Sequence, residues 1–418
     1  MSLLLILLFS ILFNNLSNSS GLSSQPGICY GQLGNNLPAP SKSISLIKSL
    51  NAKRIKLYDT NPQILTSLKN TNLQVSIMLP NELITNISTN QTLSDQWIKS
   101  NILPFYPQTL IRYILVGNEI ISSTPNTTWP HLVPAMRRIK HSLKKLRIKK
   151  IKVDVYPFFP WSSDPVNINL DYALFRGDNV NVTDPGSGLV YTNLFDQMVD
   201  SVYFAMEKLG FPDIRIFIAE TGWPNGGDID QIGANVFNAA TYNRNFVKKV
   251  MRKPVVGTPA RPGSVLPSFL FALFNENQKP GPGTERHFGL LYPNGSRVYE
   301  IDLSGETPES EFPVLPPPEN NEPYKGKIWC VVARGSNVTA LGEALAYACS
   351  QGNQTCDPVR PGRECFKPDS VFWHASYAFS SYWAQFKKIG GTCYFNGLAI
   401  QTAKDPSYGS CKFPSVTL

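Results

Sequence analysis

A chain of 418 residues with 42% hydrophobic and 17% charged residues has the composition of an ordinary globular protein and the length of two domains, which excludes disordered and fibrous classes. The formal net charge of +9 is modest for this length, and no nucleic-acid-binding motif accompanies it. Lys and Arg are therefore read as the coat of solvated helix faces, as in RRIKHSLKKLRIKK at 137–150.

In chain order, the first segment is MSLLLILLFSILF, followed by the polar, small-residue stretch NNLSNSSGLSSQ. An apolar run of about a dozen residues is too short to cross a bilayer and reads as a secretory signal peptide over 1–24, cleaved near Ser20 to Ser24. Strands are expected at 27–31, 52–59, 73–79, 111–119, 151–159, 214–221 and 268–277, with amphipathic helical stretches between most of them. Continuous apolar strands alternating with helices predict an α/β domain over 25–304 built on a parallel sheet buried on both faces. Several strands end in polar residues: Tyr58-Asp59, Asn118-Glu119, Glu220-Thr221 and Asn275-Glu276. A (β/α)8 TIM-type barrel builds its active site at that end of its strands, but it needs eight of them and only seven are legible.

The Pro- and acid-rich stretch 305–325 cannot bury a core and reads as a semi-rigid linker. Beyond it, six of the seven cysteines fall within 326–418, while Cys29 stands alone. That density predicts a small disulfide-stapled domain, although spacing leaves the pairing open. Zinc is disfavoured, since there is no CxxC pair and His374 is the one nearby histidine. Sequons at Asn86, Asn90, Asn126, Asn181, Asn294, Asn337 and Asn353 agree with a secreted glycoprotein of the extracellular space or cell wall. The C-terminal KFPSVTL carries no lipid-anchor signal.

Two carboxyl groups suffice for glycoside hydrolysis, one to protonate the leaving oxygen and one to attack or to activate water. Glu119 and Glu220 each sit where an apolar strand stops. Such a charge is costly to bury unless it is used or paired, so a salt-bridged rim residue is the alternative for either. The four histidines show no metal-ligand spacing, and the Ser and Cys nucleophile motifs are absent.

CYGQLGNNLP, KLYD, VGNE, DVYPFF with LDYALF, IAETGWPNGG and FALFNENQKPGPGTERHFGLLYPNG resemble, in order, the signatures of family 17 glycoside hydrolases, the plant endo-1,3-β-glucanases. WCVVARGSN, HASYAFSSYW and CYFNGLAIQTAKDPSYGSCKFPS resemble the family 43 carbohydrate-binding module. The resemblance implies a barrel that cleaves internal 1,3-β-glucan linkages with retention, needs no cofactor and acts as a monomer whose partner is the polysaccharide. It implies Glu119 as acid/base, Glu220 as nucleophile, and Asn118 as the residue that binds the sugar 2-hydroxyl. Tyr30, Tyr58, Tyr156, Phe159 and Trp223 would line the groove, with core packing as the alternative for each. Glu276, Lys279 and Glu285 would cluster near the nucleophile, where a lysine can hold a carboxylate ionised. In the module the implied pairs are Cys330–Cys393, Cys349–Cys356 and Cys365–Cys411. Tyr377, Phe379, Tyr382 and Trp383 are candidates for glucan contact, although their helical spacing suits a core equally well.

One departure stands out. Where the family has a fifth strand, a loop and a helix, IKKIKV runs directly into DVYPFF, so roughly forty to fifty residues, one β/α unit, are missing after Val153. Three readings follow: an active enzyme that tolerates the gap, a splice or gene-prediction form of a longer enzyme, or a glucan-binding wall protein with an inert barrel.

Overall fold

The computed structural model describes residues 24–143, 150–177 and 180–417; all but the last residue of the expected signal peptide lies outside them, as does the end of the helix expected to run past Ser142. Seven parallel strands form one sheet: β1 (Gly27–Tyr30), β2 (Arg54–Leu57), β3 (Gln74–Leu79), β4 (Leu110–Val116), β5 (Lys150–Asp154), β6 (Arg215–Thr221) and β7 (Ser268–Leu270). Their order in space is β4-β3-β2-β1-β7-β6-β5. All seven expected strands form; β3 and β6 end at their expected limits and the other five end short of them. The stretch after Phe158 is a short helix to Ser163 rather than a continuing strand.

Side-chain alternation sorts the strands into two layers. Ile28, Ile55, Leu57, Val75, Ile77 and Ile218 face outward and pack against helices such as Pro40–Ser49, Gln91–Asn101, Leu194–Lys208 and Val236–Met251. Cys29, Phe217, Phe269, Phe271 and Phe288 form a second cluster inside the curve of the sheet, with Tyr58 and Tyr156 against it. Three of these helices start at side-chain caps: Asn90, Asn193 and Asn235 each accept a backbone N–H of the first turn, whereas Pro40–Ser49 starts on a proline.

Among the described residues, no strand joins β4 to β5, and the sheet is open there. Lys150 to Asp154 pairs with β6 from Lys150 opposite Arg215 to Asp154 opposite Glu220, so both sides of the Val153–Asp154 junction belong to one strand. The expected break after Val153 is thus not a break in the fold. The residues before it complete the strand beside β6, and the vacant strand position lies between β4 and β5. β4 shows what that costs: only Leu115 among its residues is fully buried, whereas β3 is buried over five of its six.

The C-terminal domain is a three-stranded antiparallel sheet, with β8 (Lys327–Val332) between β9 (Ala399–Thr402) and β10 (Val416–Thr417). Helix Val371–Phe386 packs on it, and helix Val338–Ser350 packs on that helix. The disulfides are Cys330–Cys393, Cys349–Cys356 and Cys365–Cys411, as the resemblance implied, and Cys29 is buried without one. The segment 305–325 does not stand off as a spacer. Asn320 and Asn321 bond to the loop at 231–238, and Phe312 lies under the Arg244 guanidinium.

Candidate active site

Glu220 reaches the inside of the sheet through a local irregularity. From Ile218 to Thr221, β6 takes three steps where β7 takes two; from Ile218 to Glu220 it takes two where β5 takes one. An extra residue therefore sits at Ala219–Glu220, a β-bulge that resets the alternation. Phe217 points inward and Ile218 outward. After the bulge Glu220 again points inward, and Thr221 points outward to bond the Tyr242 hydroxyl at 2.6 Å.

There Glu220 is almost fully enclosed. Its Oε1 accepts from Lys56 Nζ at 2.6 Å and from the Tyr58 hydroxyl at 2.7 Å, and its Oε2 accepts from the Tyr156 hydroxyl at 2.7 Å. Burial alone would raise its pKa, but the Lys56 charge and these three donors outweigh it and hold the carboxyl below its usual value. The two phenols are pushed well above theirs, by burial first and then by Cys29 and Glu220, so they stay protonated donors. Burial likewise keeps the adjacent Cys29 thiol neutral.

Lys56 was not legible as a site residue, although the sequence holds a signal for it. In RIKLYD the charged and polar residues Arg54, Lys56 and Tyr58 alternate with Ile55 and Leu57, and the inner set has side chains that only a buried partner could accommodate. Lys279, expected in a cluster with Glu276 and Glu285, pairs with Glu285 at 3.5 Å and lies 4.1 Å over the Phe271 ring.

Glu119 follows β4 through a tight turn. Gly117 takes φ +77°, where a Cβ would strike Ile84 and Ile120. Asn118 is fixed at both backbone groups by the Asn81 side chain, at 2.7 and 2.9 Å. Glu119 itself adopts φ +46°, a left-handed conformation that costs on the order of 1 kcal/mol for a residue other than glycine. The side chain is open to solvent on one side. Partial desolvation, then the Glu220 and Glu285 charges, raise its pKa against the opposing pull of Lys56 and Lys279. Two carboxyls on one rim are thus biased in opposite directions.

Glu276 is 3% exposed, accepts from the Leu33 N–H at 2.8 Å and has its pKa raised by burial. It braces the loop after β1, where the space beside Gly31 is filled by its carboxylate. Of the expected groove aromatics, Tyr58 and Tyr156 stand at Glu220 and Phe159 is 43% exposed beside Tyr156. Two do not face the cleft. Tyr30 falls on the outer side of β1 and packs edge-on to Phe274 in the layer beneath the helices. Trp223 is fully buried against Phe158, Trp161 and Tyr242, and its indole N–H is spent on the Gly233 carbonyl. In the module, Tyr377, Phe379 and Trp383 lie in the core, while Tyr382 is half-buried beside the exposed Tyr347. Helical spacing placed three of the four on the inward face. Exposed Phe372 and Trp373 were not singled out by the sequence reading.

The sequence profile of the glycosyl hydrolases family 17 matches residues 26–155 and 153–303, two stretches that meet at the Val153–Asp154 junction, and that of the X8 domain matches 328–400. A probable glucan endo-1,3-beta-glucosidase A6 of Arabidopsis thaliana is 50% identical over 442 aligned positions, covering 95% of this chain and 92% of its own. That alignment is longer than the 418-residue chain, which agrees with an internal shortening. A β-1,3-glucanase and allergen of Cryptomeria japonica pollen superposes with a TM-score of 0.61 at 35% identity, over 67% of this chain and 99% of its own.

Proposed function

Since the chain belongs to glycosyl hydrolases family 17, we propose that it cleaves internal 1,3-β linkages of β-glucans with retention, Glu119 serving as acid/base and Glu220 as nucleophile. The observation that carries this is the pinned, ionised Glu220, sharing a rim with a solvent-open Glu119 that is biased towards protonation; Glu276, biased the same way, is buried against the Leu33 N–H. Glu220 attacks the anomeric carbon while Glu119 gives its proton to the departing glycosidic oxygen. Glu119, now a carboxylate, then takes a proton from the water that releases the glycosyl ester. Acid, base and nucleophile are all carboxyl groups, so the sequence of steps calls for no cofactor. The module, matched by the X8 profile, is proposed to hold the same polysaccharide.

Secretion is part of this proposal. The asparagines of all seven sequons are exposed, as glycan acceptors must be.

The open edge of β4 favours a second reading, a glucan-binding protein of reduced catalytic power, because Glu119 sits at the end of that strand. Reducing-end release from laminarin by the folded, secreted chain decides between them. Release that disappears in Glu220→Gln supports the hydrolase; its absence in the unaltered chain supports the binding protein.

A further inference from the structure

The loop after β6, residues 222–235, is bonded into the segment that carries the Lys279–Glu285 pair. Asn225 donates to Asn275 Oδ1 and the Gly289 carbonyl, Asp228 Oδ2 accepts from the Gly283 N–H, and Gln231 Oε1 accepts from the Thr284 N–H. From this unit Asp230 reaches the C-terminal module. Its Oδ2 accepts from Lys387 Nζ at 2.6 Å and its Oδ1 from Gln401 Nε2 at 2.9 Å, while its own N–H donates to Gln401 Oε1 at 3.3 Å. The ion pair is largely enclosed, with side-chain exposures of 24% and 16%, and the neighbouring Ile229 packs against the module's apolar core.

A second contact leads back to the cleft. The Arg286 guanidinium lies 4.3 Å over the Tyr394 ring of the module, and its Nη1 donates to the Lys279 and Gly281 carbonyls. The linker ends on the same loop, where Asn320 accepts from the Gly233 N–H at 2.7 Å.

We propose that Asp230 and Arg286 are positioning residues of a fixed interdomain clamp, which seats the module beside the Lys279–Glu285 corner so that barrel and module grip one long β-glucan chain as a single rigid body. Asp230 supplies the polar lock and Ile229 the apolar contact. Arg286 links the seating of the module to the Lys279 backbone. A ligand held at both places at once gains the effective concentration that a rigid junction provides, whereas a short oligosaccharide that fills only the cleft gains nothing. The shared-chain part rests on the hydrolase reading above; the clamp itself does not.

The test uses the full-length protein, Asp230→Lys, and the exchanged pair Asp230→Lys with Lys387→Asp. Solution scattering and protease cleavage within 305–325 report the clamp. Turnover of laminarin against that of a laminari-oligosaccharide of about five units reports the shared chain. Expected in Asp230→Lys are a larger maximum dimension, cleavage faster by on the order of tenfold, and laminarin turnover lowered about tenfold with oligosaccharide turnover held. The exchanged pair should recover both. Unchanged scattering and cleavage in Asp230→Lys overturn the clamp, and an opened molecule with an unchanged laminarin-to-oligosaccharide ratio overturns the shared chain. If the unaltered protein releases no reducing ends from either glucan, the hydrolase reading and the shared chain fail together, and scattering and cleavage still decide the clamp.

Discussion

At the scale of single residues, Glu220 shows how a carboxylate is kept ionised out of water. Its nearest cation is Lys56, with which it shares an environment that leaves their side chains 6% and 1% exposed. Glu220 has a lowered pKa, so its contribution to stability is present above the unfolded carboxyl value of about 4.3 and is lost as pH falls through the folded value. Lys56 has a raised pKa despite burial, so its contribution is complete below about 10.4 and is lost as pH rises through its folded value. The pair therefore supports the fold across the whole neutral range. In Lys56→Met the burial effect on Glu220 is opposed by the two phenols alone, and its pKa should rise. The acid limb of kcat/KM should move to higher pH by about 1–3 units, and the loss of a buried partner should cost about 3–5 kcal/mol in denaturant unfolding. An acid limb that stays in place would show that Tyr58 and Tyr156 suffice.

At the scale of elements, β4 and β5 are the informative strands. β5 stays beside β6 and so still delivers Tyr156 to Glu220, which explains how the nucleophile's cradle is complete in a shortened sheet. Among the described residues, β4 is bonded to β3 on one side and pairs with no strand on the other. Its backbone amides should open at lower cost than those of a strand paired on both sides. Hydrogen exchange should be faster for Leu110–Val116 than for Gln74–Leu79, on the order of tenfold or more averaged over the strand. Equal protection would mean that the exposed edge is covered in solution. The same element logic accounts for the aromatics that the sequence misplaced. Tyr30 lies one residue from the inward Cys29 and therefore faces the helices, and Trp223 lies past the bulge that re-aims Glu220.

For the whole molecule, two domains and the chain between them form one continuous contact path, from the sheet rim through the loop at 222–235 to the module. The seven exposed sequon asparagines place any glycans outside the core. The chain recovered from a plant secretory host should fall in apparent mass after endoglycosidase treatment, and a chain of unmodified mass would contradict secretion through the glycosylating route. Carrying the clamp, the module cannot swing freely as a composition-based linker would allow, because Asn320 and Asn321 tie the end of the segment to the barrel.

The order of strands and helices, the two strand-end glutamates, the cysteine-dense tail and the shortfall of one strand are all local in sequence. Periodicity, strand ends and spacing therefore revealed them directly. The disulfide partners followed only from the family resemblance, since spacing does not select a pairing. The part played by Lys56, the inward turn of Glu220, the outward turn of Tyr30 and the seating of the module depend on residues far apart in the chain. Lys56 and Glu220 are 164 positions apart, and Asp230 and Lys387 are 157. Only the register of the sheet, with its bulge at Ala219–Glu220, brings the first pair together, and only the packing of one domain on the other forms the second. The vacancy between β4 and β5 belongs to the same class. The missing length was visible along the chain, but which edge it left open was decided by the hydrogen-bonded pairing of Lys150–Asp154 with β6.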